Sequence, residues 1–147
     1  MQIRHPRPGD EAQLAFLLED MERHYGDAVA DGAGRGGAAF LLGQPPSGML
    51  CLVAEHEGRL VGFAILIPYF PGPRLSHGLH LKELYVTARA RSAGVGEKLI
   101  EAIRALAAKR GATRVIWTTG ERNSEAQRFY DRLGMRREKK VYYEMDV

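Results

Sequence analysis

Arg91, Gly94 and Gly96 are spaced so that the backbone between them could hold an anion. The two glycines carry no Cβ, so the N–H groups beside them can approach a ligand closely. Val95, Leu99, Ile103 and Leu106 then recur near the 3.6-residue period of a helix and mark one apolar face. The first turn of a helix leaves four N–H groups without intrahelical partners, and the local field there favours negative charge. Arg91-Ser92-Ala93-Gly94-Val95-Gly96-Glu97 is therefore a candidate phosphate-binding turn. Two common phosphate turns are excluded. Leu99 stands where the dinucleotide fingerprint G-x-G-x-x-G needs a third small residue, and the Gly-Lys-Ser/Thr of a Walker A loop is absent. A glycine pair before a helix also serves as an ordinary tight turn, so the rest of the chain has to decide.

The elements that would position this turn are legible around it. Leu79 to Val86, with Leu81, Leu84, Tyr85 and Val86, is a β-prone strand leading into the turn. Lys109 and Arg110 suit the last turn of the following helix, and Gly111 is a natural stop. Upstream, Ile3 and Arg4 begin a short strand. Asp10 and Gln13 form a capping box, opening a helix that runs to about Tyr25 through Leu14, Leu17, Leu18 and Met21. The polar face of that helix, Glu19, Asp20, Glu22, Arg23 and His24, reads as solvated. Alternatively, its acids and Tyr25 help to attract a cationic amine. Gly26 to Gly48 reads as a glycine-rich loop with a short helix around Ala38 to Leu42, placed as a flap over a substrate site. Met49 to Glu55 and Leu60 to Ile67 make a hairpin about His56-Glu57-Gly58, with Gly62 marking a bulge or a close backbone contact.

Pro68, Pro71, Gly72 and Pro73 interrupt the pattern, leaving Tyr69 and Phe70 to line a pocket or pack a loop. Thr113 to Thr119 is a further strand. Asn123 and Ser124 open a last helix, with Gln127 at the capping-box position and Ala126, Phe129, Tyr130 and Leu133 as its apolar stripe. Gly134 ends it, and Val141 to Met145 is the closing strand. The whole, residues 1–147, reads as one α/β domain: a mixed sheet with a central meander, helices on its faces, and a parallel crossover from Leu79 to Thr119.

Composition narrows the function classes. With 45% hydrophobic and 27% charged residues and a net charge of +3, the chain is an ordinary globular protein that is only mildly basic. That balance tolerates a polyanionic ligand without pointing to nucleic acid. The densest basic run, Arg136 to Lys140, reads as solvated. The one cysteine, Cys51, lies in the apolar run Leu50 to Ala54 and reads as core, in keeping with a reducing compartment. The chain lacks an uninterrupted apolar stretch of about 18 residues or a secretory leader, so the expectation is a cytoplasmic protein without a membrane partner.

Arg91-x-x-Gly94-x-Gly96 resembles the Arg/Gln-x-x-Gly-x-Gly/Ala signature of the GNAT superfamily of N-acetyltransferases, which holds the pyrophosphate of acetyl-CoA. Asn123 to Met135, with Ala126, Phe129-Tyr130 and Leu133-Gly134, resembles the second hallmark of that superfamily, and the order of elements is similar to its fold. Ala88 and Ser92 replace a Pro and a Gly common in the family, and Met135 replaces a Phe. The chain looks most like the diamine (spermidine/spermine) acetyltransferase branch in Cys51 to Glu55, Val61 to Ala64 and Glu121. Lys82, however, stands where that branch has an acid, and would repel a cation.

The resemblance implies a GNAT-type acyl-CoA N-acyltransferase fold and acetyl transfer from acetyl-CoA to a primary amine in a ternary complex, without a metal. It implies that Leu84, Tyr85 and Val86 hold the pantetheine arm through their backbone, that residues 91 to 97 hold the pyrophosphate, and that Asn123 contacts the cofactor arm or only caps its helix. Tyr130 becomes the candidate acid for the departing sulfur, being protonated at neutral pH. Glu83 is the first candidate base, with Glu121, His77 and His80 behind it. The acceptor would be a small molecule or an amino-acid-like metabolite. A peptide or protein amine, and an inactive acyl-CoA-binding module, are the other readings. A homodimer is in keeping with the family.

Overall fold

Glu57 and Gly58 both take positive φ, 51° and 74°, the backbone that lets a two-residue hairpin follow the twist of its strands. They join β2 (Leu50–His56) to β3 (Arg59–Tyr69) in an antiparallel pair. β1 (Gln2–Arg4) pairs with β2 and β4 (Gly78–Val86) with β3, both antiparallel. β5 (Val115–Ile116) lies parallel to β4. The sheet is thus mixed, as the sequence predicts, and its order is β1-β2-β3-β4-β5. The computed structural model describes residues 1–43, 45–46 and 48–147. The chain divides into two compact units, Met1–Trp117 and Thr118–Val147.

In the first unit, strand alternation builds two cores. Cys51 and Val53 of β2, Phe63 of β3 and Tyr85 of β4 join Leu14, Leu17 and Met21 of α1 (Glu11–Tyr25) and Ala38 and Leu41 of α2 (Ala33–Leu42) in one cluster. Leu52, Ala64 and Leu66 alternate with these along the strands. They are also buried, as are Val95, Leu99, Ile103 and Ala107 of α3 (Val95–Lys109), the helix that packs on β1 to β4. Cys51 is core as expected, and burial pushes its thiol up to about 12.

β4 does not keep a single parity. Ile65 opposes Glu83, yet its neighbour Leu66 opposes Leu81, so Lys82 is an extra residue on β4. Such a bulge carries the residues beyond it to the other face. Leu79 and Leu81 therefore sit outside the α1 cluster, while Tyr85 sits inside it. A second irregularity leaves Val61 as an extra residue on β3 beside Gly62. A Cβ on Gly62 would come 2.7 Å from the Tyr85 carbonyl oxygen, so both the bulge and the close approach are present.

The glycine-rich segment departs from expectation. Instead of a loop with a short helix at Ala38 to Leu42, α2 begins at Ala33 and packs against α1. A Cβ on Gly34 would lie 2.6 Å from the Ala15 carbonyl oxygen, and one on Gly37 would lie 2.8 Å from Leu18 Cδ1. The glycines let two helix backbones approach, and burial offsets their poor helix propensity. From Ala33 to Leu42 the segment is core structure and not a flap; Gln44 and Ser47, also inside the expected loop, lie outside the described residues. Gly34→Ala is expected to lower unfolding stability by about 1–3 kcal/mol through overpacking. Gly36→Ala, where a Cβ would meet nothing within 4 Å, should raise it by about 0.5–1 kcal/mol. Urea unfolding of both variants checks the contrast.

The Asp10–Gln13 capping box does not form. Asp10 precedes α1 without a side-chain cap; its carboxylate accepts Arg4 Nη1 and Nη2 at 2.7 and 2.9 Å and the Arg7 N–H at 2.8 Å. Arg4 also reaches Glu55 at 2.6 Å. Gln13 instead ties α1 to the hairpin, accepting from Leu60 N–H at 2.9 Å and donating to the Gly58 carbonyl at 3.3 Å. The Arg4 guanidinium holds the Asp10 carboxyl below its usual range, against the opposing effect of burial. A carboxyl depressed in the fold stabilises above its unfolded-state range and loses that contribution as pH falls through the folded value. Asp10→Asn should therefore cost about 2 kcal/mol at neutral pH and flatten the acid limb of stability against pH, read by denaturant midpoints.

Three further expectations are corrected. β3 continues through Pro68 to Tyr69, whose ring lies over Gly78, where any Cβ would collide with it. Phe70 alone of that aromatic pair is strongly exposed. The strand expected from Thr113 to Thr119 is reduced to Val115–Ile116. Val141 to Met145, expected as the closing strand, forms no strand within the second unit, and Val141, Tyr142, Tyr143 and Met145 are exposed. A β-prone pattern becomes a strand only where a neighbour supplies ladder hydrogen bonds.

In the second unit, α4 (Ser124–Arg132) is capped by Asn123, whose Oδ1 accepts the Ala126 N–H at 3.2 Å. Gln127 does not close a capping box with Ser124; it donates to the Gly120 and Glu121 carbonyls at 3.2 and 2.8 Å. Ala126, Phe129, Tyr130 and Leu133 form a half-buried stripe. The basic run is exposed, with Arg137 against Asp131 and Lys140 against Glu138.

Candidate active site

At the end of β4, Thr87 and a 3-10 turn, Ala88–Ala90, swing the chain towards α3. Ser92 and Gly94 take positive φ, 66° and 74°. Local bonds use some N–H groups: Ala90 and Arg91 donate to the Thr87 carbonyl and Ala93 to that of Ala90. Those of Ser92, Gly94, Val95 and Gly96 find no acceptor among the described residues. A Cβ on Gly94 would meet nothing within 4 Å, so the space beside it is open. Unused donors at the head of a 15-residue helix make an anion cradle.

Arg91 is folded back on the strand. Its Nε donates to the Val86 carbonyl at 3.1 Å, and its guanidinium lies 5.8 Å from the centre of the Tyr85 ring. The Tyr85 side chain is buried, and its hydroxyl donates to Asp20 Oδ2 at 2.6 Å. Burial and that bond push the phenol up to about 12. Sequence reasoning placed Asp20 only among acids that could attract an amine and missed its bond to Tyr85, which lies far from it along the chain. It also missed Thr87, whose Oγ1 is buried beside the turn without a hydrogen-bond partner. No motif marks either residue.

β4 pairs with β5 only at Leu79 and His80. From Leu81 to Val86 the side of β4 away from β3 has no partner strand among the described residues, so backbone groups at Leu84, Tyr85 and Val86 can serve an extended ligand. Glu83 lies on this stretch, partly exposed, 3.5 Å from Lys82 Nζ. Burial raises the Tyr25 phenol, the Glu83 charge adds to the rise, and Arg91 opposes it. Tyr25 is thus within electrostatic reach of both Glu83 and Arg91, and the His24 ring contacts both Tyr25 and Tyr85.

Of the other base candidates, His77 hydrogen-bonds the Arg110 carbonyl at 3.1 Å and His80 lies in the paired part of β4. Glu121 belongs to the second unit and is exposed. Tyr130 lies on α4 with its ring 5.1 Å from that of Phe129, and the Asn123 side chain is engaged in capping. Among the described residues no group of three His, Cys, Asp or Glu side chains could hold a metal, and no helix is long and apolar enough to cross a membrane.

Comparison with known proteins agrees with this geometry. Residues 12–135 match the acetyltransferase (GNAT) family. The uncharacterized N-acetyltransferase YhfO of Bacillus subtilis is 29% identical over 135 residues, covering 91% of this chain and 89% of YhfO. The D-amino-acid N-acetyltransferase HPA3 of Saccharomyces cerevisiae is 34% identical over 87 residues, 59% of this chain and 54% of HPA3. Among solved structures, an integron cassette protein from the mobile metagenome of V. cholerae superposes with a TM-score of 0.83 at 26% identity, covering 99% of this chain and 92% of that one. The aminoglycoside N-acetyltransferase AAC(6')-Iy, solved with CoA, shares the fold with a TM-score of 0.81 at 20% identity, over 99% of this chain and 93% of its own. The cradle at the head of α3, the open edge of β4 and these matches lead to one conclusion: the chain belongs to the acetyltransferase (GNAT) family.

Proposed function

We propose that this protein is an acetyl-CoA-dependent N-acetyltransferase that moves the acetyl group directly to a primary amine of a small, amino-acid-like molecule in a ternary complex. The observation that carries the reading is the set of four unused N–H groups at Ser92, Gly94, Val95 and Gly96 beside the unpaired edge of β4. The first would take the diphosphate. The second would take the amide-bearing arm and aim its thioester along the strand.

The chemistry needs few groups. The neutral amine nitrogen attacks the thioester carbonyl carbon, the C–S bond breaks, the new ammonium loses a proton and the thiolate gains one. Glu83 is the group we assign to the amine proton, directly or through water, since it stands on the open stretch of β4. Tyr130 is assigned the proton for sulfur, a role that a phenol protonated at neutral pH can fill. Backbone N–H groups supply the oxyanion contact. Acetyl-CoA enters as the acyl donor, and no step requires a metal.

Two observations favour an amino-acid-like acceptor over a polyamine. Lys82 sits 3.5 Å from Glu83, adding positive charge that suits a carboxylate and opposes a polycation. HPA3, which shares 34% of matched residues, is a D-amino-acid N-acetyltransferase. The test is thiol release from acetyl-CoA against a panel of amino acids, polyamines, aminoglycosides and peptides. Turnover with amino acids above the other classes is expected. Tight coenzyme A binding without turnover on any amine would instead make the chain a binding module, and a preference for peptides would move the acceptor to protein amines.

A further inference from the structure

The Arg91 guanidinium does not stand alone beside the turn. It rests on the Tyr85 ring at 5.8 Å, and the same ring carries a hydroxyl that donates to Asp20 at 2.6 Å. These contacts join α1, β4 and the turn in one line, Asp20 to Tyr85 to Arg91. A phenol that donates to a carboxylate carries extra electron density on its oxygen and ring. A richer ring face holds a cation more firmly. The Arg91 Nε bond to Val86 fixes one side of the guanidinium, and its carbon lies over the Tyr85 ring.

We infer that Asp20 is a positioning residue for the diphosphate turn, acting through the Tyr85 ring to hold Arg91 in place. Asp20 lies on α1 and belongs to neither motif. The inference rests on the reading of the turn as a coenzyme A site, and it extends that site to a helix more than sixty residues upstream. It also explains why a buried tyrosine is found where the strand would accept any apolar residue: the ring must pack on Phe63, at 6.0 Å between centroids, and still present a hydroxyl to α1.

The test is a double-mutant cycle on the whole chain, read by calorimetric titration of coenzyme A. Asp20→Asn keeps an acceptor for the hydroxyl and removes the charge. It is expected to weaken coenzyme A binding about two- to threefold, a part of the worth of one cation–π contact. Arg91→Ala should weaken binding more, and Asp20→Asn should then cost nothing further in the Arg91→Ala background. Tyr85→Phe should reproduce the loss and silence Asp20→Asn in the same way, which also carries the test if Asp20→Asn folds poorly. Additive losses, or full affinity in Asp20→Asn, would overturn the inference by making Asp20 merely structural. An Arg91→Ala variant with unchanged affinity would overturn it too, whereas failure of the coenzyme A site itself would appear separately as unaltered binding in Gly94→Glu.

Discussion

Replacing Gly94 by glutamate is expected to weaken coenzyme A binding by more than about 100-fold. Two effects act at this position. Gly94 has φ +74°, a backbone that costs a residue with a Cβ about 1–2 kcal/mol. The larger effect is charge. Nothing within 4 Å would hinder a Cβ there, so the side chain fits, and its carboxylate is placed within the turn that carries the unused N–H groups. Those donors would be offered an internal anion in place of the ligand's phosphates, and the phosphates would meet a like charge at short range. Gly94→Ala separates the two effects. Both variants should lose similar stability in thermal unfolding, while alanine weakens coenzyme A by less than about tenfold and glutamate abolishes measurable binding. If the glutamate variant binds as the parent does, the turn is an ordinary tight turn and the proposed chemistry has no cofactor site.

The second large effect is expected at Tyr130. Tyr130→Phe keeps the ring beside Phe129 and its place in the half-buried stripe of α4, so unfolding stability should change by no more than about 1 kcal/mol. If the hydroxyl gives the proton to sulfur, kcat should fall by about 100-fold or more, with coenzyme A affinity within about twofold of the parent. That split distinguishes proton transfer from packing. A lost contact to the cofactor would raise Kd along with the drop in rate, and a purely structural tyrosine would change neither. Equal kcat for the two proteins would return Tyr130 to the stripe.

Asp20 and Lys82 mark the boundary of what could be read without the structure. Both stand in plain view in the sequence, one on a charged helix face and the other among alternating strand residues. Asp20 gains its role only because Tyr85 is folded beneath it. Lys82 already reads in the sequence as a charge that opposes a cation; the structure adds that the sheet leaves it without an opposite number, which turns Glu83 and Tyr85 onto the α1 side. The glycines at 34 and 37 mislead in the same way. Their type suggests a loop, yet their meaning comes from Ala15 and Leu18 on another helix.

What the sequence determined by itself was local. The glycine turn before α3, the amphipathic helix behind it, the hairpin turn and the Asn123 cap all rest on backbone preferences and side-chain spacing within a few residues, and each appears where those rules place it. The family followed from two such motifs in order. What only the tertiary structure decided were pairings between distant parts of the chain: α2 against α1, Asp10 with Arg4 in place of a cap, the early parting of β4 from β5, and the lack of a strand at Val141 to Met145. Periodicity states which residues can lie on one face, but the free energy of burial and of ladder hydrogen bonds depends on what lies opposite, and that is set by the fold.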